Sequence, residues 1–131
     1  MKRVLFVCVE NAGRSQMAEA FANYLGRGKI AAQSAGVKLA DRVNPVTVEV
    51  MKEKGIDIYT AKPKPLTSQL VNNSDLIVTM GCGVGNICPG PFPKETIDWG
   101  LDDPKGRPIE KVRLIRDEIE RRVKNLIDTS P

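Results

Sequence analysis

Apolar residues at the start of the chain come as a run rather than an alternation: Val4, Leu5, Phe6 and Val7 follow the charged pair Lys2-Arg3, and Cys8 ends the run. A short unbroken apolar segment of this kind reads as a strand buried on both faces, expected from Arg3 to Val7. The period then changes. In "RSQMAEAFANYLG", Met17, Phe21, Tyr24 and Leu25 fall on one face at helical spacing, and Gly26 supplies a stop. "KIAAQSAG" reads as a second strand closed by Gly36. Asn44-Pro45 forms a cap and first-turn pair for the helix "VTVEVMKEKG", which Gly55 ends. "PLTSQLVNNS" suits a short helix, "DLIVTM" a buried strand before "GCGVG", and Glu95 to Trp99 a fourth, short strand. From Pro108 onward, Val112, Ile115, Ile119, Val123 and Leu126 make the apolar stripe of a long amphipathic helix.

Strands alternating with helices predict a doubly wound α/β domain, a four-stranded parallel sheet with helices on both faces, because right-handed crossovers place them there. Chemistry in such sheets collects beyond the carboxyl ends of the strands, where the chain order reverses. Cys8 follows the first strand, Cys82 the third and Asp103 the fourth. The topology alone brings three reactive side chains to one edge.

Composition narrows the chemistry. A length of 131 residues, with no repeat or linker-like stretch, fits a single domain spanning 1–131. Hydrophobic residues at 41% and charged residues at 27% are ordinary for a protein in water, and no apolar stretch is long enough for a membrane span. The apolar run after Lys2-Arg3 is too short for a signal peptide, so a cytoplasmic location is expected. A net charge of +4, with basic and acidic residues interleaved in the last third, favours neither nucleic acid nor membrane as a partner. Anionic small molecules remain compatible. Three cysteines cannot all pair. The absence of histidine is the sharpest constraint, because it excludes His-based triads, His-dependent zinc sites and His general bases.

"VCVENAGRS", residues 7–15, sits on the strand-to-helix turn. Successive backbone N–H groups feeding a helix N-terminus form an anion nest, to which the helix dipole adds partial positive charge. Cys-x5-Arg lets the loop Val9, Glu10, Asn11, Ala12, Gly13, Arg14 and Ser15 wrap a tetrahedral oxyanion, with the Arg14 guanidinium pairing two of its oxygens. Cys8 would lie beneath the central atom, and the same donors would favour its thiolate, a nucleophile at neutral pH. Ser15 is placed to donate to that thiolate, and Asn11 to brace the loop. A buried cysteine at a strand end beside a solvated arginine is the alternative from spacing alone.

Cys82 and Cys88 bracket "GVGNI", with Gly81, Gly83 and Gly85 nearby, a segment whose glycines leave it free to move. A mobile pair near a reactive thiolate suits relayed thiol–disulfide exchange; a zinc site lacking its fourth ligand, or two inert thiols, are the alternatives. Asp103 precedes Pro104, which biases it to extended backbone and frees its carboxyl to face the pocket. With no histidine present, a carboxylic acid is the natural proton donor. A plain polar turn is the competing reading of Asp102-Asp103.

"CVENAGRSQMAEAF", "SAG", "NP", "SDLIVTM", the later cysteine pair and "DWGLDDP", in this order over nearly the whole chain, resemble the thioredoxin-coupled arsenate reductases. The resemblance implies the low-molecular-weight protein tyrosine phosphatase fold, a three-layer αβα arrangement. It also implies roles: Cys8 attacks the oxyanion, Asp103 is the general acid, Cys82 then forms a disulfide with Cys8, and Cys88 takes over Cys82 for thioredoxin or a similar dithiol to reduce. No cofactor is implied. Some relatives hold a potassium ion on side chains matching Asn11, Glu19 and Ser34 and on an acidic residue near the position of Lys64; no metal is assigned to this chain. Three departures stand out. Glu10 replaces the usual glycine, Gly81 precedes Cys82, and Lys105-Gly106 stands where phosphotyrosine enzymes carry aromatic residues. The resemblance therefore favours reduction of arsenate, with residual phosphatase activity as a corollary. A tyrosine phosphatase and a non-catalytic oxyanion-binding or redox-sensing protein are the other readings.

Overall fold

The computed structural model describes residues 1–81 and 94–129. Its strands are β1 (Lys2–Cys8), β2 (Ile30–Gly36), β3 (Leu76–Thr79) and β4 (Glu95–Asp98); its helices are α1 (Arg14–Leu25), α2 (Pro45–Lys52), α3 (Ser68–Asn72) and α4 (Ile109–Thr129). All strand pairs are parallel and the order is β2-β1-β3-β4, so the chain steps from β1 to one neighbour and then crosses back to the other side of it. That reversal lies at the carboxyl end of β1, where Cys8 pairs with Gly36 in register. The expected α/β architecture is the one observed.

β1 is central and sealed on both faces. Its alternate residues Val4, Phe6 and Cys8 join one core with Met17 and Phe21 of α1 and Ile119 and Val123 of α4. Leu5 and Val7 join a smaller core with Ala35, Ile77 and Val71 of α3. Because side chains alternate along a strand, the phase that buries Phe6 also turns the Cys8 sulfur to the side of the sheet where α1 begins. Trp99 closes this core against Phe6, with ring centroids 5.6 Å apart.

Two helix stripes differ from expectation. On α1, Tyr24 and Leu25 are exposed, and the buried stripe runs through Met17, Ala18, Phe21 and Ala22. The small Ala18 and Ala22 let the helix lie close to the sheet, which rotates its axis of burial away from Tyr24; that ring instead lies beside Arg27, 5.7 Å from its guanidinium. On α4, Ile127 is buried where Leu126 is only half-buried, and Arg116 joins the buried face. Its guanidinium donates to the Val50 carbonyl at 2.9 Å and to Glu53 at 2.7 Å. Hydrogen bonds from Arg113 and Arg116 hold the Glu53 carboxyl down to about 2, from an ordinary 4.5. A depressed carboxylate contributes stability above its unfolded value and loses it as pH falls from about 4.5 toward 2.

Asn44 caps α2 as expected, its Oδ1 accepting the Val46 N–H at 2.9 Å, with Pro45 in the first turn. β4 is a short edge strand, exposed along its whole length, and its Glu95 and Asp98 discourage pairing with another sheet edge. No helix among the described residues is long and apolar enough to cross a membrane.

Candidate active site

The loop from Cys8 to Arg14 is shaped by one residue in an uncommon conformation and one that has no side chain. Asn11 has a φ of 54°, the left-handed region that asparagine tolerates better than most residues. This turn points its backbone N–H back at the Cys8 sulfur, 3.2 Å away. Gly36, opposite Cys8 on β2, leaves room for the turn: a Cβ there would sit 2.8 Å from the Val9 carbonyl oxygen and 2.9 Å from the Asn11 nitrogen. The serine-alanine-glycine end of β2 is therefore part of the loop's mould.

The loop's carbonyls are taken by neighbouring amides. Val9 O accepts from Val37 and Lys38, Glu10 O from Ala40, and Ala12 O from Asn44. The amides of Glu10, Ala12 and Gly13 donate to no protein atom among the described residues. α1 begins at Arg14 with no side-chain cap on its first turn. Free N–H groups and an uncapped helix start leave an electropositive hollow suited to an anion. Below it, Cys8 is 8% exposed and its sulfur lies 2.8 Å from the Ser15 hydroxyl, which can donate to a thiolate.

Side chains hold this arrangement from beneath. Asn11 Nδ2 donates to Ser15 Oγ at 2.7 Å and to Ser34 Oγ at 2.9 Å, and its Oδ1 accepts the Lys64 backbone N–H at 2.8 Å. Gln16, fully buried, donates to both oxygens of Asn11 and to the Lys62 carbonyl. Asn11 was expected to brace the loop; its side chain does so with two hydroxyls, one backbone amide and the Gln16 amide. Gln16 carried no expected role. Its signal in the sequence is slight, a polar side chain in the first turn of a helix, and its burial follows only from the loop folding over it.

Arg14 makes contacts beyond those expected of it. One terminal nitrogen is directed at the carbonyls of Met80, Gly81 and Leu101, at 2.8, 3.0 and 2.8 Å. The side chain is 6% exposed, and its other terminal nitrogen lies 4.0 Å from Asp103 Oδ2. The guanidinium thus ties the loop to the chain just beyond β3 and β4. Gly81 is shaped for this crossing: its φ is +92°, and a Cβ would lie 2.9 Å from the Leu101 backbone. Asp98, another residue without an expected role, fixes the same point by accepting from Thr79 Oγ1 and the Gly81 N–H, both at 2.8 Å.

Asp103 lines the same pocket as Cys8 and Arg14, a cavity of about 400 Å³. Its side chain is 59% exposed, and Oδ1 accepts the Lys105 backbone N–H at 3.0 Å. Glu10 turns to the rim and pairs with Lys105 Nζ at 2.8 Å, which raises the lysine's affinity for its proton. Asp41 and Arg42, from the polar loop before α2, also reach this rim and were not anticipated. Among the described residues, no aromatic side chain lines the cavity. Cys82 and Cys88 lie outside the described residues; the chain reaches Gly81, beside Arg14, and the sulfurs beyond it are not placed.

The potassium ion held by some relatives does not fit this chain. Glu19 Oε1 already receives the Lys64 ammonium at 3.0 Å and the Ser34 hydroxyl at 2.7 Å, so a second cation on the same oxygen would face a fixed positive charge. No cluster of three or more acidic or thiol side chains suited to a metal occurs among the described residues.

Comparison with known proteins agrees with this geometry. Residues 3–130 match the family described as low molecular weight phosphotyrosine protein phosphatase. A protein from Synechocystis named glutaredoxin arsenate reductase is 43% identical over 129 residues, covering 97% of each chain. A solved structure of an arsenate reductase in the phosphate binding state superposes with a TM-score of 0.86 at 39% identity, over the full length of both chains. The thioredoxin-dependent arsenate reductase of Corynebacterium glutamicum gives a TM-score of 0.82 at 37% identity, over 98% of this chain and 61% of that one. With its cysteine loop, its sheet order and these likenesses in agreement, the chain belongs to the low molecular weight phosphotyrosine protein phosphatase family, in the company of its arsenate reductases.

Proposed function

We propose that this protein reduces arsenate to arsenite, with Cys8 as nucleophile and Cys82 and Cys88 as a disulfide relay emptied by thioredoxin or a similar dithiol. One observation carries the reading: a sulfur held under free loop amides and Arg14, in a pocket with no aromatic side chain among the described residues that line it. Such a pocket offers a tetrahedral inorganic oxyanion its donors, and its described walls offer a phosphotyrosine ring no flat surface to lie on.

The Cys8 thiolate attacks arsenic while Arg14 and the loop amides hold the remaining oxygens, and Asp103 protonates the departing oxygen, which leaves as water. The Cys82 thiolate then attacks the Cys8 sulfur. The sulfur–arsenic bond breaks with its electron pair going to arsenic, which departs as arsenite; arsenic is reduced by two electrons as two thiols become a disulfide. Attack by Cys88 on Cys82 frees Cys8 and leaves Cys82–Cys88, an intramolecular disulfide that an external dithiol reduces. A phosphate monoester presents the same tetrahedral face to the loop, so slow hydrolysis of small aryl phosphates accompanies the main activity.

The test is to add arsenate to fully reduced protein and map disulfides by mass spectrometry. Arsenate-dependent appearance of Cys82–Cys88, with arsenite released in equal amount and both lost in Cys82→Ser, is the expected result. Turnover of aryl phosphate with no disulfide would transfer the assignment to a phosphatase, and phosphate binding without turnover to an oxyanion-binding protein.

A further inference from the structure

Beneath the Cys8 loop an unbroken line of hydrogen bonds runs from the sulfur to a lysine. Cys8 Sγ and Ser15 Oγ are 2.8 Å apart; Asn11 Nδ2 donates to Ser15 Oγ at 2.7 Å and to Ser34 Oγ at 2.9 Å; Ser34 donates to Glu19 Oε1 at 2.7 Å. The line ends on the Lys64 ammonium, 3.0 Å from the same Glu19 oxygen. Asn11 and Ser34 are fully buried, and the Glu19 and Lys64 side chains are 23% and 38% exposed.

Glu19 decides what this line needs. Its carboxylate accepts from one hydroxyl and one ammonium, so without the ammonium a partly buried negative charge would keep a single neutral donor. A carboxylate in that state pulls harder on Ser34, and the strain passes to Asn11, the residue whose left-handed turn aims the loop amide at the sulfur. The backbone of Lys64 is fixed separately: its N–H binds Asn11 Oδ1, and its carbonyl accepts from Gly36 at 2.8 Å. The strand-end contacts therefore aim the side chain, and the charge it carries is a distinct contribution.

We propose that Lys64 is a built-in cation for the oxyanion loop: its ammonium satisfies Glu19 from within the chain, so the loop is set for anion binding without a free monovalent cation. Lys64 is a positioning residue; it acts through Glu19, Ser34 and Asn11 and touches neither the sulfur nor the anion. The inference rests only on the part of the functional reading that places an oxyanion over Cys8, and needs neither arsenate reduction nor the relay.

The experiment measures binding of inorganic phosphate to the reduced protein by isothermal titration calorimetry, in potassium chloride and in choline chloride of equal ionic strength. The wild-type chain should bind equally in both salts. Lys64→Ala removes the charge and opens space beside Glu19; its affinity should fall roughly tenfold in choline chloride, as for a partly buried charge stripped of its partner, and recover in potassium chloride. Lys64→Met keeps the stem and excludes the ion, so it should bind weakly in both salts, whereas Lys64→Arg should match wild type in both. Wild-type binding that requires potassium overturns the proposal. So does wild-type affinity in choline chloride for both Lys64→Ala and Lys64→Met, and so does a loss in Lys64→Ala that potassium leaves unrepaired. Absence of phosphate binding by the wild-type chain in either salt removes the oxyanion site itself, and this inference with it.

Discussion

The two sides of the pocket are built differently. The Cys8 side is held by buried side chains reaching across the fold: Asn11, Ser15, Gln16 and Ser34 are each at most 1% exposed and bind one another or backbone groups distant in sequence. The Asp103 side is an exposed turn, whose carboxylate bonds to the amide two residues on and stands 4.0 Å from Arg14. A group that must aim several donors at one anion gains most from rigidity, because donors already in place need no reorganisation when charge develops. Arg14 joins the two sides through the Met80, Gly81 and Leu101 carbonyls, at the point from which the chain departs toward Cys82.

Three substitutions sharpen or break this contrast. Arg14→Lys should have the largest effect, since an ammonium cannot span three carbonyls and still present a two-pronged edge to an oxyanion. The second-order rate with arsenate should fall by roughly 10²- to 10³-fold, and phosphate affinity with it. A fall in kcat alone, with phosphate binding intact, would mean that Arg14 does not grip the ground-state anion. Asp103→Asn comes next, with a loss on the order of 10² in turnover and little change in phosphate affinity, because it removes a transferable proton and not a binding group. In the phosphatase reaction the same variant should lose less on substrates with good leaving groups; equal losses across a leaving-group series would count against the acid role. Lys105→Ala should have the smallest effect. It leaves Glu10 unpaired at the rim, and the exposed pair is worth little, so KM for arsenate should rise by a factor of roughly two to five, shrinking as salt is added. A rise that persists at high salt would show that Lys105 binds the anion directly.

Much of this molecule was legible in order along the chain. The apolar run before Cys8, the Asn44-Pro45 cap and the period of α4 reported local preferences and burial, and the alternation of strands and helices gave the sheet. That Cys8, Arg14 and Asp103 meet at one pocket was legible because the sheet's switch point follows from that alternation. Gln16, Asp98, Asp41 and Arg42 were not, since each is an ordinary polar residue in a first helical turn, at a strand end or in a loop, given a task only by what folds against it. The burial of Ala18 and Ala22 in place of Tyr24 and Leu25 belongs with these: helical period fixes which residues share a face, and the neighbouring surface selects the face.

What the sequence determined by itself is therefore the period-bound part: four strands running parallel in one sheet, and a thiol with an arginine six positions later on a strand-to-helix turn. What only the tertiary structure decided is who neutralises whom: Glu10 with Lys105, Glu19 with Lys64, Arg14 with three carbonyls. Periodicity is a local property of the backbone, readable over a dozen residues. Charge pairing depends on distances between segments forty to a hundred residues apart, and those exist only once the core has closed.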